Sequence, residues 1–223
     1  MARASSLWRG ATTDQSGRRD HRKPEMECER VFLSLGSNLG NRQAFLSAAI
    51  AELRKIPDLT VLGISSMYES PAMFMTDDTP PFLNAAVEIR TEMEPQALLD
   101  RLQEIEVRLG RQPGPRIRYE NRVMDIDIMV WGERKIATPR LTIPHPGIHV
   151  RRFYLQPLSN LAPDLIPPGF EWTVSERAEQ LADRQPLRQI CPGNTRQSRK
   201  EGHTDNRSIA HARQVRDERG KTP

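Results

Sequence analysis

The sequence predicts an α+β fold in which an antiparallel sheet is flanked by helices. Short apolar strands and two amphipathic helices alternate in the order βαββαβ within about 100 residues, and we find no internal repeat. Hydrophobic residues make up 37% of the 223 residues, and the mean hydropathy is −0.63. No apolar run approaches the roughly 20 residues that span a bilayer, so a membrane-spanning helix is excluded.

The first half of the pattern is a strand, a helix and a strand. Residues 31–35 form a short buried strand that ends at Gly36. A helix is predicted over 42–55, where apolar residues recur at helical spacing, namely Leu46, Ala49, Ile50 and Leu53. A second strand is predicted over 59–68, and Pro71 stops it.

The second half is a strand, a helix and a strand. Residues 82–90 form the third strand, and Pro95 begins the next helix at a position where proline is tolerated. The fourth strand is predicted over 123–131. This order is typical of the ferredoxin-like split βαβ fold. C-terminal additions of strand and helix are expected over 133–173, including a helix around 150–161.

Composition divides the chain into a folded body and two polar tails. We expect a disordered extension over 1–29, one domain over 30–173 and a largely disordered basic tail over 174–223, which is too polar to offset its ordering entropy. The tail carries 11 basic and 7 acidic residues, whereas the body has a net charge of −1. The overall charge of +4 therefore argues little for nucleic-acid binding.

Cysteine usage and the first residues bear on the compartment. Cys28 and Cys191 are the two cysteines and lie far apart, which argues against a disulfide framework and fits a reducing compartment. The first 25 residues lack the apolar core of a secretory signal. We expect a cytoplasmic protein, with a mitochondrial transit peptide as the alternative because the same residues are rich in arginine and serine.

Two aspartates in an apolar strand are the sharpest chemical signal. Asp125 and Asp127 alternate with isoleucines, so they point to one face of the strand. Paired carboxylates repel each other unless a cation compensates, and hard oxygen ligands suit Mg²⁺. The alternative is that both aspartates pair with neighbouring arginines on an exposed face.

Arginines cluster around this strand. They precede it at Arg108, Arg111, Arg116, Arg118 and Arg122 and follow it at Arg140, Arg151 and Arg152. Guanidinium groups suit phosphate oxygens, so the cluster indicates phosphoryl chemistry, whereas the alternative is a solvated basic loop. An RNA-binding sheet lacks support because the strand centres carry Leu33, Ala85 and Ile126 rather than stacking aromatics.

Three further features are ambiguous by themselves. The segment from Gly36 to Asn41 follows a strand and leads into a helix, but it matches no nucleotide-binding loop and is interpreted as a turn with a helix cap. Asn84 in the third strand either satisfies backbone groups or binds the polar edge of a flat heterocycle. His145, between two prolines, has both a structural and a functional interpretation.

Together these pieces resemble a known family. The motifs occur in the order Gly36-Ser37-Asn38-Leu39, Tyr68-Glu69-Ser70-Pro71, Phe82-Leu83-Asn84-Ala85-Ala86, Glu106 with Gly110-Arg111, Arg122-x-x-Asp125-Ile126-Asp127-Ile128, and Arg140-Leu141-Thr142-Ile143-Pro144-His145. From about Val31 to Phe170 the chain resembles the 6-hydroxymethyl-7,8-dihydropterin pyrophosphokinases of folate biosynthesis. The resemblance implies pyrophosphate transfer from ATP to the pterin hydroxymethyl group, with release of AMP.

The resemblance also implies roles for particular residues. It places two Mg²⁺ ions on Asp125 and Asp127, with Arg111 and Arg122 as further catalytic groups. ATP would be bound by these arginines and by Gln103, Glu106, Ile128, Arg140, Thr142, His145 and Arg151. The pterin would be bound by Ser70, Pro71, Met73, Phe82, Asn84, Tyr119 and Phe153. The expected partners are these small molecules, with no membrane and no specific nucleic acid, for a monomer or weak dimer.

One departure from the family pattern leaves other functions open. Tyr119-Glu120-Asn121-Arg122 stands where the family usually has Trp-Gly-Pro-Arg, and Glu120 adds negative charge near the phosphates. An inactive relative that binds pterin or ATP is therefore one alternative. A ferredoxin-like module that binds RNA or protein is another.

Overall fold

The computed structural model describes residues 29–72, 79–112 and 121–190. In chain order its elements are β1 (Glu29–Ser37), α1 (Arg42–Leu53), β2 (Leu59–Ile64), β3 (Met67–Ser70), β4 (Phe82–Thr91), α2 (Pro95–Arg108), β5 (Asp125–Trp131), β6 (Ile136–Ala137), β7 (Thr142–Ile143), α3 (Arg152–Ser159), α4 (Val174–Gln180) and β8 (Arg188–Ile190). None of the helices in these ranges is long and apolar enough to cross a membrane.

The main sheet is antiparallel, with β1 and β4 as its central strands. The strand order is β5-β1-β4-β3-β8, and β2 also pairs with β4. Strand β1 pairs with β4 along its whole length, from Glu29 opposite Thr91 to Ser37 opposite Leu83. Its other edge pairs with β5, where Gly36 lies opposite Asp125. The predicted ferredoxin-like βαββαβ arrangement is confirmed.

Each face of the sheet packs against a different pair of helices. Helices α1 and α2 cover one face, where the alternate apolar residues of the strands form the larger core, among them Val31, Leu33, Leu35, Ala85, Val87 and Ile126. Helices α3 and α4 pack on the other face against Phe32, Ala86 and Met129. The period-two alternation of strand side chains therefore supplies two cores from one sheet.

The helices on the first face begin where the sequence indicates. The Asn41 side chain accepts a hydrogen bond from the backbone N–H of Ala44 (3.1 Å), which satisfies one of the free donors at the start of α1. Pro95 occupies the first turn of α2, where its missing N–H costs nothing. The interpretation of residues 36–41 as a strand exit and helix cap is confirmed.

The predicted strand over 59–68 is two strands, which differs from the expectation. Ser65 separates them, and its hydroxyl accepts a hydrogen bond from the backbone N–H of Ala86 (2.8 Å) while donating to the carbonyl of Ser66 (2.7 Å). A side-chain oxygen thereby takes the place of a backbone acceptor, and the regular ladder is interrupted.

The expectation of a disordered tail from residue 174 is wrong for residues 174–190. Helix α4 begins with a capping box between Thr173 and Glu176, and it buries Val174 and Ala178 in the second core. Strand β8 then pairs with β3, with Arg188 opposite Glu69. Most residues of this segment are exposed or half-buried, and its composition is accordingly polar. The few apolar residues that it buries attach it to the second core.

Some sequence predictions concern other parts of the chain. The extension over 1–28 and the tail over 191–223 lie outside the described residues, as do the loops 73–78 and 113–120. Strand β1 begins at Glu29, one residue before the expected start of the domain.

A shortened chain tests the role of the C-terminal segment. Ending the protein at residue 173 removes Val174, Ala178 and Leu181 from the second core, together with β8. Because each buried valine or leucine contributes about 1.5–3 kcal/mol, we expect unfolding to require several kcal/mol less and Tm to fall by about 10 °C. A chain ending at residue 190 keeps these contacts and is the control. Equal melting of the two chains would contradict the assignment.

Glu69 links three elements through its carboxylate. It accepts hydrogen bonds from Arg42 of α1 (2.8 Å) and from Arg188 of β8 (2.7 Å). Burial raises the pKa of the Glu69 carboxyl, but the two arginines outweigh burial and hold that pKa below its usual value of 4.5. A carboxyl whose pKa is lower in the folded state stabilises the fold above its unfolded pKa, and that stability is lost as the pH falls.

The substitution Glu69→Gln should therefore have a pH-dependent effect. We expect the variant to unfold more easily than the original protein above pH 4.5, and the difference to shrink as the pH falls below that value. Urea denaturation of both proteins at a series of pH values measures the difference. A constant difference across the series would show that the charge of Glu69 is not the cause.

Candidate active site

The two aspartates lie side by side on β5, on the face opposite α1 and α2. Asp125 is paired with Gly36 of β1, and Asp127 is paired with Ser34 of the same strand. Both side chains are half-buried, and 17% of the Asp125 side chain is exposed. The predicted common orientation of the two carboxylates follows from the strand period and is seen here.

Two arginines hold Asp125. Nη1 of Arg111 donates to Oδ1 (2.9 Å), and Nη1 of Arg122 donates to Oδ2. All three side chains are less than one-fifth exposed, so their charges interact in a medium less polar than bulk water. Each oxygen of this carboxylate thus has its own cationic partner.

A buried glutamate organises this group from the end of α2. Glu106 is 2% exposed, and its Oε2 forms an ion pair with Arg111 (2.7 Å). Its Oε1 accepts a hydrogen bond from the backbone N–H of Ile126 (2.7 Å). One carboxylate therefore fixes both Arg111 and the start of β5, which holds Asp125 next to Arg111.

The alternative interpretation, in which both aspartates pair with neighbouring arginines on an exposed face, is confirmed only for the pairing of Asp125. Asp125 does pair with neighbouring arginines, but on a largely buried surface rather than an exposed one. Asp127 accepts a hydrogen bond from the hydroxyl of Tyr154 on α3 (2.9 Å). Arginines thus bind Asp125, and a phenol is among the partners of Asp127.

Tyr154 is buried beneath the site. Its hydroxyl oxygen accepts a hydrogen bond from Nη1 of Arg151 (3.2 Å) while donating to Asp127. Burial, together with the negative charges of Asp127 and Asp125, raises the pKa of Tyr154 well above 10 despite the opposing charge of Arg151. The phenol therefore stays protonated and remains a donor.

His145 lies beside Tyr154. The two rings are in edge contact, with 5.0 Å between their centroids. Its backbone N–H donates to the carbonyl of Met129 (2.9 Å), which ties the segment after β7 to β5. Nδ1 of the ring accepts a hydrogen bond from the N–H of Gly147 (3.0 Å). In the neutral ring, Nε2 therefore carries the proton and is a donor.

The remaining residues expected around ATP occupy different surfaces. Nη2 of Arg140 donates to Asp100 (2.6 Å) and to Gln103 (3.3 Å) on the exposed side of α2. Thr142 is exposed on β7. The side chain of Ile128 lies in the core between the sheet and the first two helices.

The residues expected around the pterin meet at the ends of β3 and β4. Asn84 is buried, and its Nδ2 donates to the hydroxyl of Ser70 (3.0 Å) and to the carbonyl of Tyr68 (3.3 Å). The Phe82 ring borders Gly36, since a methyl group built on that glycine would lie 3.9 Å from the ring and 3.5 Å from Oδ1 of Asn84.

Strand register aligns residues predicted to bind the pterin and the metal in one row. Asn84, Gly36 and Asp125 are successive partners across β4, β1 and β5. Neighbouring strands are about 4.8 Å apart, so the backbones of Asn84 and Asp125 are about 10 Å apart. Gly36 between them has no side chain, which leaves the surface of the row open.

The other residues predicted to bind the pterin lie elsewhere in the chain. Phe153 packs on α3 with its ring against Tyr154 (4.5 Å between centroids), and Pro71 directly follows β3 on the surface. Met73 and Tyr119 lie outside the described residues.

The sequence matches the model of a known protein family. The model for "7,8-dihydro-6-hydroxymethylpterin-pyrophosphokinase (HPPK)" matches residues 32–163. This chain belongs to that family. It is therefore a pyrophosphokinase of folate biosynthesis, and family members use ATP as co-substrate. The matched span begins within β1 and extends past α3.

Several relatives carry the same name. The 2-amino-4-hydroxy-6-hydroxymethyldihydropteridine pyrophosphokinase of Methylorubrum extorquens is 39% identical over 152 residues, which are 68% of this chain and 93% of that protein. The enzyme of that name from Haemophilus influenzae is 35% identical, covering 71% of this chain and 96% of its own length. The "Folic acid synthesis protein fol1" of Pneumocystis carinii is 38% identical, but the match spans only 20% of that longer protein.

Solved structures agree on the fold. The HPPK-DHPS of Plasmodium falciparum, crystallised as the wild type with pteroate, has a TM-score of 0.58 at 14% identity, covering 73% of this chain and 44% of that one. The A437G variant with STZ-DHP gives a TM-score of 0.57 over 72% of this chain and 47% of that one. At this identity the likeness concerns the fold alone.

Two residues of this pyrophosphokinase were not identified as site residues from the sequence. Asn38 is buried and binds the arginine segment, because its Oδ1 accepts from the N–H of Arg122 (2.7 Å) and its N–H donates to the Arg122 carbonyl (3.0 Å). Tyr154 binds Asp127 across 27 positions of sequence. Asn38 lies in the Gly36-Ser37-Asn38-Leu39 motif, so the sequence carried a signal for it. Tyr154, by contrast, appears in the sequence as an ordinary residue on the apolar face of a helix.

The geometry also argues against RNA binding on the strand centres. Leu33, Ala85 and Ile126 are fully buried against α1 and α2, so no base can stack there.

The buried ion pair of Glu106 gives a stability prediction. Glu106→Gln keeps an acceptor for the Ile126 N–H but removes the charge facing Arg111. Because Arg111 keeps Asp125 as a partner, we expect a loss of about 1–3 kcal/mol in the free energy of unfolding, below the cost of a fully unpaired buried charge. Urea denaturation at neutral pH measures it.

Glu104→Gln is the matched control on the same helix. Glu104 is 51% exposed and pairs with Arg101 and Arg108 at the surface. Exposed pairs contribute little, so its loss should stay below about 1 kcal/mol. Equal effects of the two substitutions would show that Glu106 has no special structural role.

Proposed function

We propose that this enzyme transfers the pyrophosphoryl group of ATP to the hydroxymethyl group of 6-hydroxymethyl-7,8-dihydropterin. The hydroxymethyl oxygen bonds to the β-phosphorus, the bond from that phosphorus to the α–β bridging oxygen breaks, AMP leaves and the hydroxyl proton passes to water. The observation that supports the proposal is the row of Asn84, Gly36 and Asp125, in which a buried amide and a carboxylate pair lie on one face of the sheet.

The carboxylate pair suits Mg²⁺ shared with a substrate. Asp125 and Asp127 offer hard oxygen ligands on one half-buried face, the donor type that Mg²⁺ prefers. Within the described ranges, no group of three or more histidine, cysteine, aspartate or glutamate side chains is placed to hold a metal. Two carboxylates supplemented by phosphate oxygens and water are what Mg²⁺ sites at nucleotides commonly use. We propose that these residues hold two ions, which would neutralise phosphate charge.

The arginines are placed to receive the polyphosphate. Arg111 and Arg122 share the oxygens of Asp125, and Glu106 keeps Arg111 in place from behind. When phosphates approach, these guanidinium groups gain a second set of acceptors without moving far. His145, whose neutral ring presents Nε2 as a donor, adds a hydrogen bond at the same edge. The protein's own contribution is thus orientation and fixed positive charge.

The pterin side is built from a fixed amide. Hydrogen bonds from Nδ2 to Ser70 and to the Tyr68 carbonyl determine the orientation of the Asn84 side chain. Its Oδ1 faces the space above Gly36, where Phe82 forms the neighbouring wall. An oriented acceptor beside an aromatic wall suits the donor groups of a flat heterocycle.

Product analysis tests the proposal directly. The protein is mixed with Mg²⁺, ATP and 6-hydroxymethyl-7,8-dihydropterin, and the nucleotides and pterins are separated by chromatography. We expect AMP and pterin diphosphate in equal amounts. ADP without a pterin product would disprove the reaction, and binding without turnover would identify an inactive relative.

Substitution of the aspartates tests their role. Asp125→Asn and Asp127→Asn keep the shape of each side chain but weaken it as a metal ligand, so turnover should fall about a hundredfold or more. Asp164→Asn, which changes an exposed aspartate outside the site, should leave turnover unchanged. Circular dichroism confirms that each variant is folded. Full activity of both site variants would exclude the metal role.

A further inference from the structure

We propose that Tyr154 is a positioning residue for Asp127, because it holds one carboxylate oxygen and so fixes the orientation in which this carboxylate meets the metal ion. The inference rests on the proposed function, because it takes Asp127 as a metal ligand. It adds a residue on a different element, α3, that sets the orientation of this ligand.

The hydrogen-bond geometry supports a directed role. The Tyr154 hydroxyl donates to Oδ2 of Asp127 at 2.9 Å and accepts from Nη1 of Arg151 at 3.2 Å. The single hydroxyl proton is therefore committed to the aspartate, since the arginine already occupies the oxygen as a donor. A carboxylate held at one oxygen by a fixed donor has little freedom to rotate.

The surroundings hold the phenol itself in place. Tyr154 is 5% exposed, and its ring contacts His145 at 5.0 Å and Phe153 at 4.5 Å between centroids. The guanidinium of Arg151 lies over the same ring, 5.6 Å from its centroid. Four residues that the sequence assigned to the ATP, pterin and metal sites therefore meet on one side chain.

Packing alone does not account for the hydroxyl. A phenylalanine would fill the same space in the second core, and a buried hydroxyl without a partner costs about 1–3 kcal/mol. Here the hydroxyl has a partner on each side, and one of them is Asp127. Groups that hold a metal ligand in this way typically change metal affinity or activity by about 10–100-fold when removed.

The test compares metal binding by the original protein and Tyr154→Phe. Mn²⁺ replaces Mg²⁺ as the probe, with the α,β-methylene analogue of ATP present, and free Mn²⁺ is followed by electron paramagnetic resonance. We expect the Mn²⁺ dissociation constant to rise about tenfold in the variant. In turnover assays, the Mg²⁺ concentration that gives half-maximal rate should rise by the same factor.

Tyr68→Phe is the matched control. Tyr68 is buried to a similar extent (7% exposed), and its hydroxyl donates to Asn160 rather than to an aspartate (3.0 Å). Its removal should leave the Mn²⁺ dissociation constant unchanged. An equal rise in both variants would show a general packing effect and overturn the proposal, as would unchanged binding in Tyr154→Phe.

A double substitution identifies the route of the effect. If Tyr154 acts through Asp127, Tyr154→Phe should change Mn²⁺ binding no further in an Asp127→Asn background. Additive losses would show that Tyr154 acts by another route, and the proposal would be wrong. Absence of pterin diphosphate from the original protein would refute the proposed function, while the Mn²⁺ measurements would still decide the role of Tyr154.

A measurement on the unsubstituted protein covers the case in which Tyr154→Phe does not fold. The chain has three tyrosines, so ¹³Cζ-tyrosine labelling gives three signals, and Tyr68→Phe and Tyr119→Phe assign Tyr154 by elimination. Addition of Mg²⁺ with the ATP analogue should shift the Tyr154 signal, because a cation bound by Asp127 draws electron density from the carboxylate to which the hydroxyl donates. A signal that does not move would overturn the proposal.

Discussion

The double pairing of β1 aligns the strand residues on which the site is built. Because β1 pairs with β4 on one edge and with β5 on the other, Asn84, Gly36 and Asp125 fall in one row. A slip of one residue in the β1–β5 pairing would turn Asp125 toward the leucines of the larger core. That core opposes the slip, because it would lose Ile126 and Ile128 to the other face.

Charge is distributed around this row with one buried carboxylate as its support. Glu106 binds a backbone N–H of β5 and the guanidinium of Arg111, and Arg111 in turn binds Asp125. Buried ion pairs contribute less to stability than their attraction suggests, because both charges lose water. Their value here is positional, since Glu106 of α2 and Asp125 of β5 both pair with Arg111 and hold it at the place where phosphate chemistry is proposed.

The second face of the sheet joins stability to the site. Helix α3 carries Tyr154 and Phe153 toward the aspartates, and its other side packs on α4 through the second core. Arg152 strengthens this contact by donating to the carbonyls of Ala178 (3.1 Å) and Gln185 (3.1 Å). Residues 174–190, although beyond the span matched by the family model, therefore support the element that reaches Asp127.

The sequence by itself determined the local features. Helical and strand periods, the Asn41 cap and Pro95 predicted the βαββαβ order, because these signals act over a few neighbouring residues. The common face of Asp125 and Asp127 followed from the strand period for the same reason. Motifs held in order along the chain were enough to indicate the family.

Contacts between distant residues were decided only by the tertiary structure. The order of the strands, the union of Asn38 with Arg122, and the hydrogen bond from Tyr154 to Asp127 depend on how the sheet and helices pack. The attachment of residues 174–190 was missed because composition averages over a segment, whereas a few apolar side chains anchor it. Local sequence patterns indicate which face of a strand or helix a side chain occupies. Only tertiary packing determines which distant residues that side chain contacts.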